Sequence, residues 1–136
     1  MQLYYFFIIL MISSCNNKSN ITKGNGYKAI NSLNIYQDLL KTQERIYFVV
    51  DTELILQKDT FSYKTCAIKG NGKWYKINDS VHLEFKNTRW IKENIGDSIP
   101  QSEFNSFKYL SIKDYLVRTV DTIEGHKLVE MLKKNK

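Results

Sequence analysis

Few side chains in this sequence have the types and spacings that chemistry requires. The two histidines, His82 and His126, are distant in the chain, whereas a zinc site needs three or four ligands. We therefore predict no metal site, and we expect His82 to lie on the surface of a strand. Cys66 has no nearby histidine to activate its thiol, which favours a cysteine packed in a strand over a nucleophile.

Three carboxylates, Asp51, Glu53 and Asp59, cluster near an expected turn between strands. Two facing carboxylates are the arrangement that glycosidases use, but charged turn residues are more commonly solvated. The sequence also contains none of the G-x-S-x-G, H-E-x-x-H or C-x-x-C motifs. We predict no catalytic residue and no cofactor, and a hydrolase with an unrecognised carboxylate site is the alternative.

Trp74 and Trp90 are the side chains best suited to contact a ligand, because an exposed indole can stack on a sugar or a peptide. Together with His82 they form our set of candidate ligand contacts. Burial in the core is nevertheless the favoured interpretation of both tryptophans, since Trp is highly buried on average.

The chain of 136 residues carries a net charge of +6, from 20 basic and 14 acidic side chains. Such an excess can attract an anionic partner, for example a phospholipid, a polysaccharide or a nucleic acid. Lysine far outnumbers arginine and is scattered, whereas surfaces that read phosphate favour clusters rich in Arg. We therefore predict no nucleic-acid partner, and we attribute the lysines to the codon bias of an AT-rich genome in preference to an anionic partner.

The chain opens with ten apolar residues, "LYYFFIILMI", from Leu3 to Ile12. A membrane-spanning helix needs about 20 such residues. Ten apolar residues instead suit the hydrophobic region of a secretory signal peptide, which has roughly 7–15. The segment is therefore interpreted as a targeting signal and not as a part of the fold.

The next residues, Ile12-Ser13-Ser14-Cys15, resemble the lipobox of bacterial lipoproteins: an aliphatic residue, two small residues and a cysteine. The resemblance implies cleavage between Ser14 and Cys15, with Cys15 carrying the lipid. Residues 1–14 would then be a signal peptide and the polar residues 15–26 a flexible tether. The protein would be anchored in a bacterial membrane through Cys15, facing outside the cytoplasm. No Lys or Arg precedes the apolar run, unlike the usual signal of this class.

Two helices are predicted beyond the tether. Apolar residues at i, i+4, i+7 and i+11 from Ala29 predict one helix within Lys28–Gln43. The second is expected over Asp121–Lys133, where Asp121 and Glu124 have the spacing of a capping box.

Strands are predicted between Arg45 and Lys86, where β-branched and aromatic residues alternate with polar ones. The Asn-Gly pair that ends Lys69–Gly72 predicts a hairpin turn. The turn near Asn78 leaves two registers open: a three-residue loop would place Trp74 outside, whereas a two-residue loop would bury it. A long loop over residues 87–105 and a hairpin turning at residues 113–114 are expected to follow.

The stretch "LQKDTFSYKTCAIKGNGKWYKINDSVHLEF" resembles a pattern of small secreted bacterial β-domains, among them lipocalin-like and META-like domains. The expected fold class is α+β and β-rich: an antiparallel meander sheet or small barrel with an N-terminal and a C-terminal helix. A single domain over residues 27–136 is predicted.

These observations predict a lipid-anchored cell-envelope protein with a non-catalytic binding or accessory domain. Its expected partners are the membrane, through Cys15, and an envelope protein or polysaccharide. Besides the hydrolase, an immunity-type lipoprotein that binds one protein partner is an alternative.

Overall fold

The computed structural model describes residues 24–91 and 106–136. The elements within these ranges are β1 (Asn25–Ala29), α1 (Leu33–Leu40), β2 (Ile46–Val49), β3 (Glu53–Leu56), β4 (Thr60–Lys64), β5 (Ile68–Ile77), β6 (Ser80–Trp90), β7 (Ser106–Ile112), β8 (Tyr115–Ile123) and β9 (His126–Lys134). The predicted signal peptide with Ser14 and Cys15, most of the predicted tether and residues 92–105 of the predicted loop lie outside the described residues. β1 begins at Asn25, inside the segment that we assign to the tether.

Eight antiparallel strands form a closed ring. Neighbours follow the order β1-β3-β4-β5-β6-β7-β8-β9, and β9 pairs with β1 to close it. The remaining strand, β2, pairs in parallel with the first half of β9 and extends the sheet beyond the ring. The prediction of a β-rich fold with a small antiparallel barrel is confirmed.

Side chains fill the interior of the barrel. The inward residues are buried and mostly aromatic or branched aliphatic: Leu54, Leu56, Phe61, Tyr63, Ile68, Val81, Leu83, Phe85, Tyr109, Leu116 and Leu132. Phe85 lies edge-on to Phe61 and to Phe107, with ring centroids 4.8 and 4.7 Å apart. A barrel of eight strands is just wide enough for its own side chains to fill it, and this one follows that rule.

Helix α1 packs on the outside of the barrel and forms a second, smaller core. Tyr36 on α1 is buried against Val117, Val129 and Met131, which are the outward residues of β8 and β9. Phe48 on β2 adds an edge-on ring contact to Tyr36, with centroids 6.2 Å apart. The middle of β9 is thus covered on both faces.

The first predicted helix is present but shorter than expected. Its N-cap is Ser32, whose hydroxyl accepts a hydrogen bond from the backbone N–H of Ile35 at 3.4 Å. It ends at Lys41, which adopts a left-handed conformation. Lys28 and Ala29, which we expected in the helix, belong to β1 instead.

The prediction of a C-terminal helix over Asp121–Lys133 is wrong. The end of β8 and the strand β9 occupy this range, and Glu124-Gly125 forms the tight turn between them, with positive φ at both residues. The apparent capping box is therefore a hairpin turn. β9 pairs with β8, β1 and β2, and these tertiary pairings override the local preference for a helix.

The predicted turn at Lys69–Gly72 is also wrong, because β5 continues through it. The hairpin between β5 and β6 turns at Asn78-Asp79 instead, so the two-residue register applies and Trp74 pairs with Leu83. β6 extends to Trp90, into the range that we expected to be a loop. The hairpin at residues 113–114 is present as predicted.

We expect Gly72→Ala to destabilise the protein by about 3 kcal/mol, the upper range for overpacking a core. A Cβ atom at Gly72 would collide with the backbone carbonyl of Glu84 on β6. Urea unfolding measures the free energy of unfolding. Gly26→Ala is the matched control, because its added Cβ meets only the flexible end of the Asn135 side chain. Equal stabilities for the two variants would contradict this packing.

Candidate functional site

Glu130 on β9 is the one fully buried carboxylate among the described residues. Its Oε2 atom accepts hydrogen bonds from Thr52 Oγ1 at 3.0 Å and from the hydroxyl of Tyr63 at 2.8 Å. Its Oε1 atom accepts from the hydroxyl of Tyr109 and from Arg118 Nη2, the latter at 3.4 Å. We call these five residues the Glu130 cluster. A buried carboxylate requires such partners, because an unpaired charge in a low-dielectric interior is very costly.

Arg118 supplies the counter-charge. It pairs with Glu130 across β8 and β9, and its side chain is 14% exposed. The guanidinium lies over the ring of Phe107, 3.7 Å from the centroid, which adds a cation–π interaction. Its Nε atom has no hydrogen-bond partner within the described part of the chain.

Burial and neighbouring charges shift the pKa values of Tyr63, Tyr109 and Arg118 in the cluster. Burial raises the pKa of Tyr63 and of Tyr109 well above the usual value, and the charge on Glu130 raises both further. Burial alone would lower the pKa of Arg118. Its interactions with Glu130, Tyr109 and Tyr63 together outweigh this effect, so the pKa of Arg118 is raised. The tyrosines therefore stay neutral and Arg118 stays charged near neutral pH. Such a closed set of donors around one acceptor suits a structural role better than proton transfer.

We expect Glu130→Gln to destabilise the protein by about 3–5 kcal/mol, because it leaves the Arg118 charge buried without its partner. The double variant Glu130→Gln/Arg118→Met should lose less stability than Glu130→Gln alone, since no unpaired charge remains. Denaturant unfolding of the two variants measures this difference. Glu44→Gln is the control: Glu44 lies 3.1 Å from Lys127 on the surface, and a much smaller change is expected. A double variant no more stable than Glu130→Gln alone would contradict the role of the ion pair.

The raised tyrosine pKa values predict a loss of stability at alkaline pH. Above about pH 10 the unfolded chain ionises Tyr63 and Tyr109, while the folded state keeps them neutral, so stability falls as pH rises. Tyr63→Phe should make this fall shallower. The measurement is the free energy of unfolding between neutral pH and pH ~11. Tyr47→Phe, on a side chain that is 50% exposed, should leave the slope unchanged; an equal slope in Tyr63→Phe would refute the interpretation.

A second candidate site lies on the outer face of the barrel. A polar groove of about 610 Å³ runs over β4, β5 and β6, and its lining includes Ser62, Lys69, Asn71, Asn87 and Arg89. These residues point away from the core, because the residues that alternate with them on β4 and β5 are buried or are inward glycines. The amide of Asn87 donates to the side chain of Asn71 at 3.4 Å. We call this surface the polar groove.

A β-bulge lies within the polar groove. The pairing of β5 with β6 shifts between Asn71 and Gly72, which face Asn87 and Phe85 respectively. Phe85 and Thr88 are both buried, so Lys86 and Asn87 both lie on the outer side. Bulges bend a strand and redirect its side chains, and here the bulge adds one cation to the outer face.

The three candidate ligand contacts do not form one site. Trp74 is partly buried against the core, and its Nε1 donates to the backbone oxygen of Gln57 at 2.7 Å. His82 lies on the outer face and stacks on Tyr75, with ring centroids 4.9 Å apart. Trp90 is 40% exposed at the far end of β6, opposite Ile68.

The remaining residues singled out in the sequence are also dispersed. Cys66 is partly buried in the turn between β4 and β5, not in a strand as we expected. His126 starts β9 and meets the ring of Tyr47 edge-on, with centroids 5.5 Å apart. Asp51 and Asp59 are exposed in turns, and Glu53 is half-buried on β3. In the described ranges no three His, Cys, Asp or Glu side chains come together as metal ligands.

Sequence reasoning missed both the Glu130 cluster and the polar groove. Their members are distant in the chain and meet only through strand pairing, so no local motif marks them. The one available signal was the acidic residue Glu130 within an otherwise apolar run from Leu128 to Leu132.

No family model, no curated protein and no solved structure matches this chain. None of the helices in residues 24–91 and 106–136 is long and apolar enough to cross a membrane.

Proposed function

We propose that this chain is a lipid-anchored protein of the bacterial cell envelope, and that its barrel is a non-catalytic binding or accessory domain. The anchor is Cys15, at the end of the apolar segment Leu3–Ile12. Two or more acyl chains hold a protein stably on a membrane, whereas one does not. Nine residues separate Cys15 from β1, enough to span at most about 30 Å.

The bonding of the Glu130 cluster supports the proposal that the domain is non-catalytic. Its carboxylate faces four donors, and its charge is matched by Arg118, so the cluster presents no reactive group to a substrate. The interior around it is filled by side chains of the core. A ligand would therefore be bound on the outer face of the barrel, where the polar groove lies.

The two alternative functions, a carboxylate hydrolase and an immunity-type protein, are not equally well supported. A carboxylate hydrolase needs two facing carboxylates, and Glu130 is the only buried one in the described residues. A protein partner of the immunity type is favoured by exposed apolar side chains at one end of the sheet: Tyr75, Ile77 and Leu110 are 41, 53 and 40% exposed. Ile77 and Leu110 flank Ser80 on adjacent strands, so the three form a small patch. This is the second candidate function.

The anchor is tested by labelling cells that express the full chain with a palmitate analogue. Cys15→Ala should abolish the label and release the protein from the membrane fraction. Cys66→Ala is the matched control, since it removes the other cysteine of the chain and should leave both readouts unchanged. Labelling and membrane fractionation that persist in Cys15→Ala would overturn the proposal.

A further inference from the structure

We infer that the outer face of β4–β6 binds an acidic polysaccharide. The inference deepens the proposed function, because it names the ligand class of the binding domain. It is carried by the charges that strand pairing assembles on this face and by the polar side chains between them.

Cationic side chains dominate this face. The outward residues of β4–β6 include five cations, Lys64, Lys69, Lys73, Lys86 and Arg89, and one carboxylate, Glu84. In the strand register Lys73 lies opposite Glu84, and Lys64 lies opposite Glu53 of β3, but none of the five cations is within 4.0 Å of a carboxylate in the described residues. We call this surface the cationic face. Its charge is therefore available to an anionic ligand.

Three of the cations lie directly opposite one another. Lys64 pairs with Lys69 across β4 and β5, and Lys69 pairs with Arg89 across β5 and β6. Like charges at facing positions of neighbouring strands destabilise a sheet. An anionic group bound over this row would replace the repulsion with attraction, and the row is placed at the edge of the polar groove.

The neighbouring row suits the hydroxyl groups of a sugar. Ser62, Asn71 and Asn87 lie next to one another across the same three strands, with hydroxyl and amide groups that both donate and accept hydrogen bonds. A saccharide that carries carboxylate or phosphate groups would use both rows: the polar row for its hydroxyl groups and the cationic row for its negative charges. The concave shape of the polar groove fits a chain of sugar rings better than a flat bilayer surface.

Two other polyanions fit less well. Single-stranded nucleic acid is held by aromatic side chains on which its bases stack, and no Phe, Tyr or Trp is among the described residues that line the polar groove. A bilayer surface is flat, whereas the polar groove is concave, so a membrane is the second polyanion that fits less well.

The test measures binding of the full chain, purified in nonionic detergent, to polygalacturonate by calorimetry. Lys69→Ala/Arg89→Ala should weaken binding by more than about tenfold, since each lost charged hydrogen bond is worth about one factor of ten. Lys108→Ala/Lys136→Ala is the control with equal charge change, on exposed residues outside the polar groove, and should bind nearly as the unaltered chain does. Equal weakening in both variants, or no binding by the unaltered chain, would overturn the inference.

A second variant separates sugar recognition from general attraction to anions. Asn71→Ala keeps all charges, and it should weaken binding to polygalacturonate several-fold but leave binding to polyglutamate unchanged. Equal effects on the two polymers would contradict a saccharide ligand. Tighter binding to single-stranded DNA than to polygalacturonate would assign the cationic face to nucleic acid instead.

Membrane binding is distinguished with vesicles of phosphatidylcholine, with and without phosphatidylglycerol. A lipid anchor contributes equally to binding of both kinds of vesicle. If the chain prefers the anionic vesicles and loses this preference in Lys69→Ala/Arg89→Ala, the cationic face binds the membrane and the inference is overturned. The outcome is independent of the Cys15 test: an anchored chain that does not bind polygalacturonate would leave the anchor proposal standing.

Discussion

The carboxylate of Glu130 joins parts of the barrel that no backbone pairing connects. Arg118 lies on the neighbouring strand β8, but Tyr63 and Tyr109 come from β4 and β7, and Thr52 precedes β3. A buried carboxylate that lacks its partners costs several kcal/mol, so these donors must arrive together at one point. Aliphatic packing tolerates small shifts, whereas a hydrogen-bonded charge does not. The cluster therefore selects one arrangement of strands around the interior.

The filled interior also determines what the outer face looks like. Gly70 has no side chain where Phe85 occupies the interior, and a Cβ on Gly70 would lie 2.8 Å from its ring. Phe85 in turn contacts Phe61, Tyr63 and Phe107. The bulge lies beside Phe85 and brings Lys86 and Asn87 together on the outer side. Packing inside the barrel thus sets the positions of charges and amides outside it.

The parts of the fold that could be predicted from the sequence are those with a local pattern. The period-two alternation of Val81, Leu83 and Phe85 marks a strand with one buried face, and the structure has one there. β9 has no such pattern, because its outward residues Val129 and Met131 are covered by α1 while Glu130 and Leu132 face the interior. A strand buried on both faces has a continuous apolar run, which is hard to distinguish from a helix when a capping-like pair precedes it. The register of β9, which positions Glu130, depends on the strands with which β9 pairs, and these lie elsewhere in the chain.

The lysines also show the difference between what composition gives and what strand pairing gives: composition gives their number, and strand pairing gives their arrangement. An AT-rich genome would explain why lysine is abundant, but composition alone places no lysine opposite another. Lys64, Lys69 and Arg89 are far enough apart in the chain that only the pairing of β4, β5 and β6 aligns them. Facing cations cost stability, and the one carboxylate in this row, Glu53 of β3, lies opposite Lys64 and leaves Lys69 facing a cation on both sides. Composition does not explain the alignment of like charges beside a row of hydroxyl and amide groups, whereas the proposed anionic ligand would explain it.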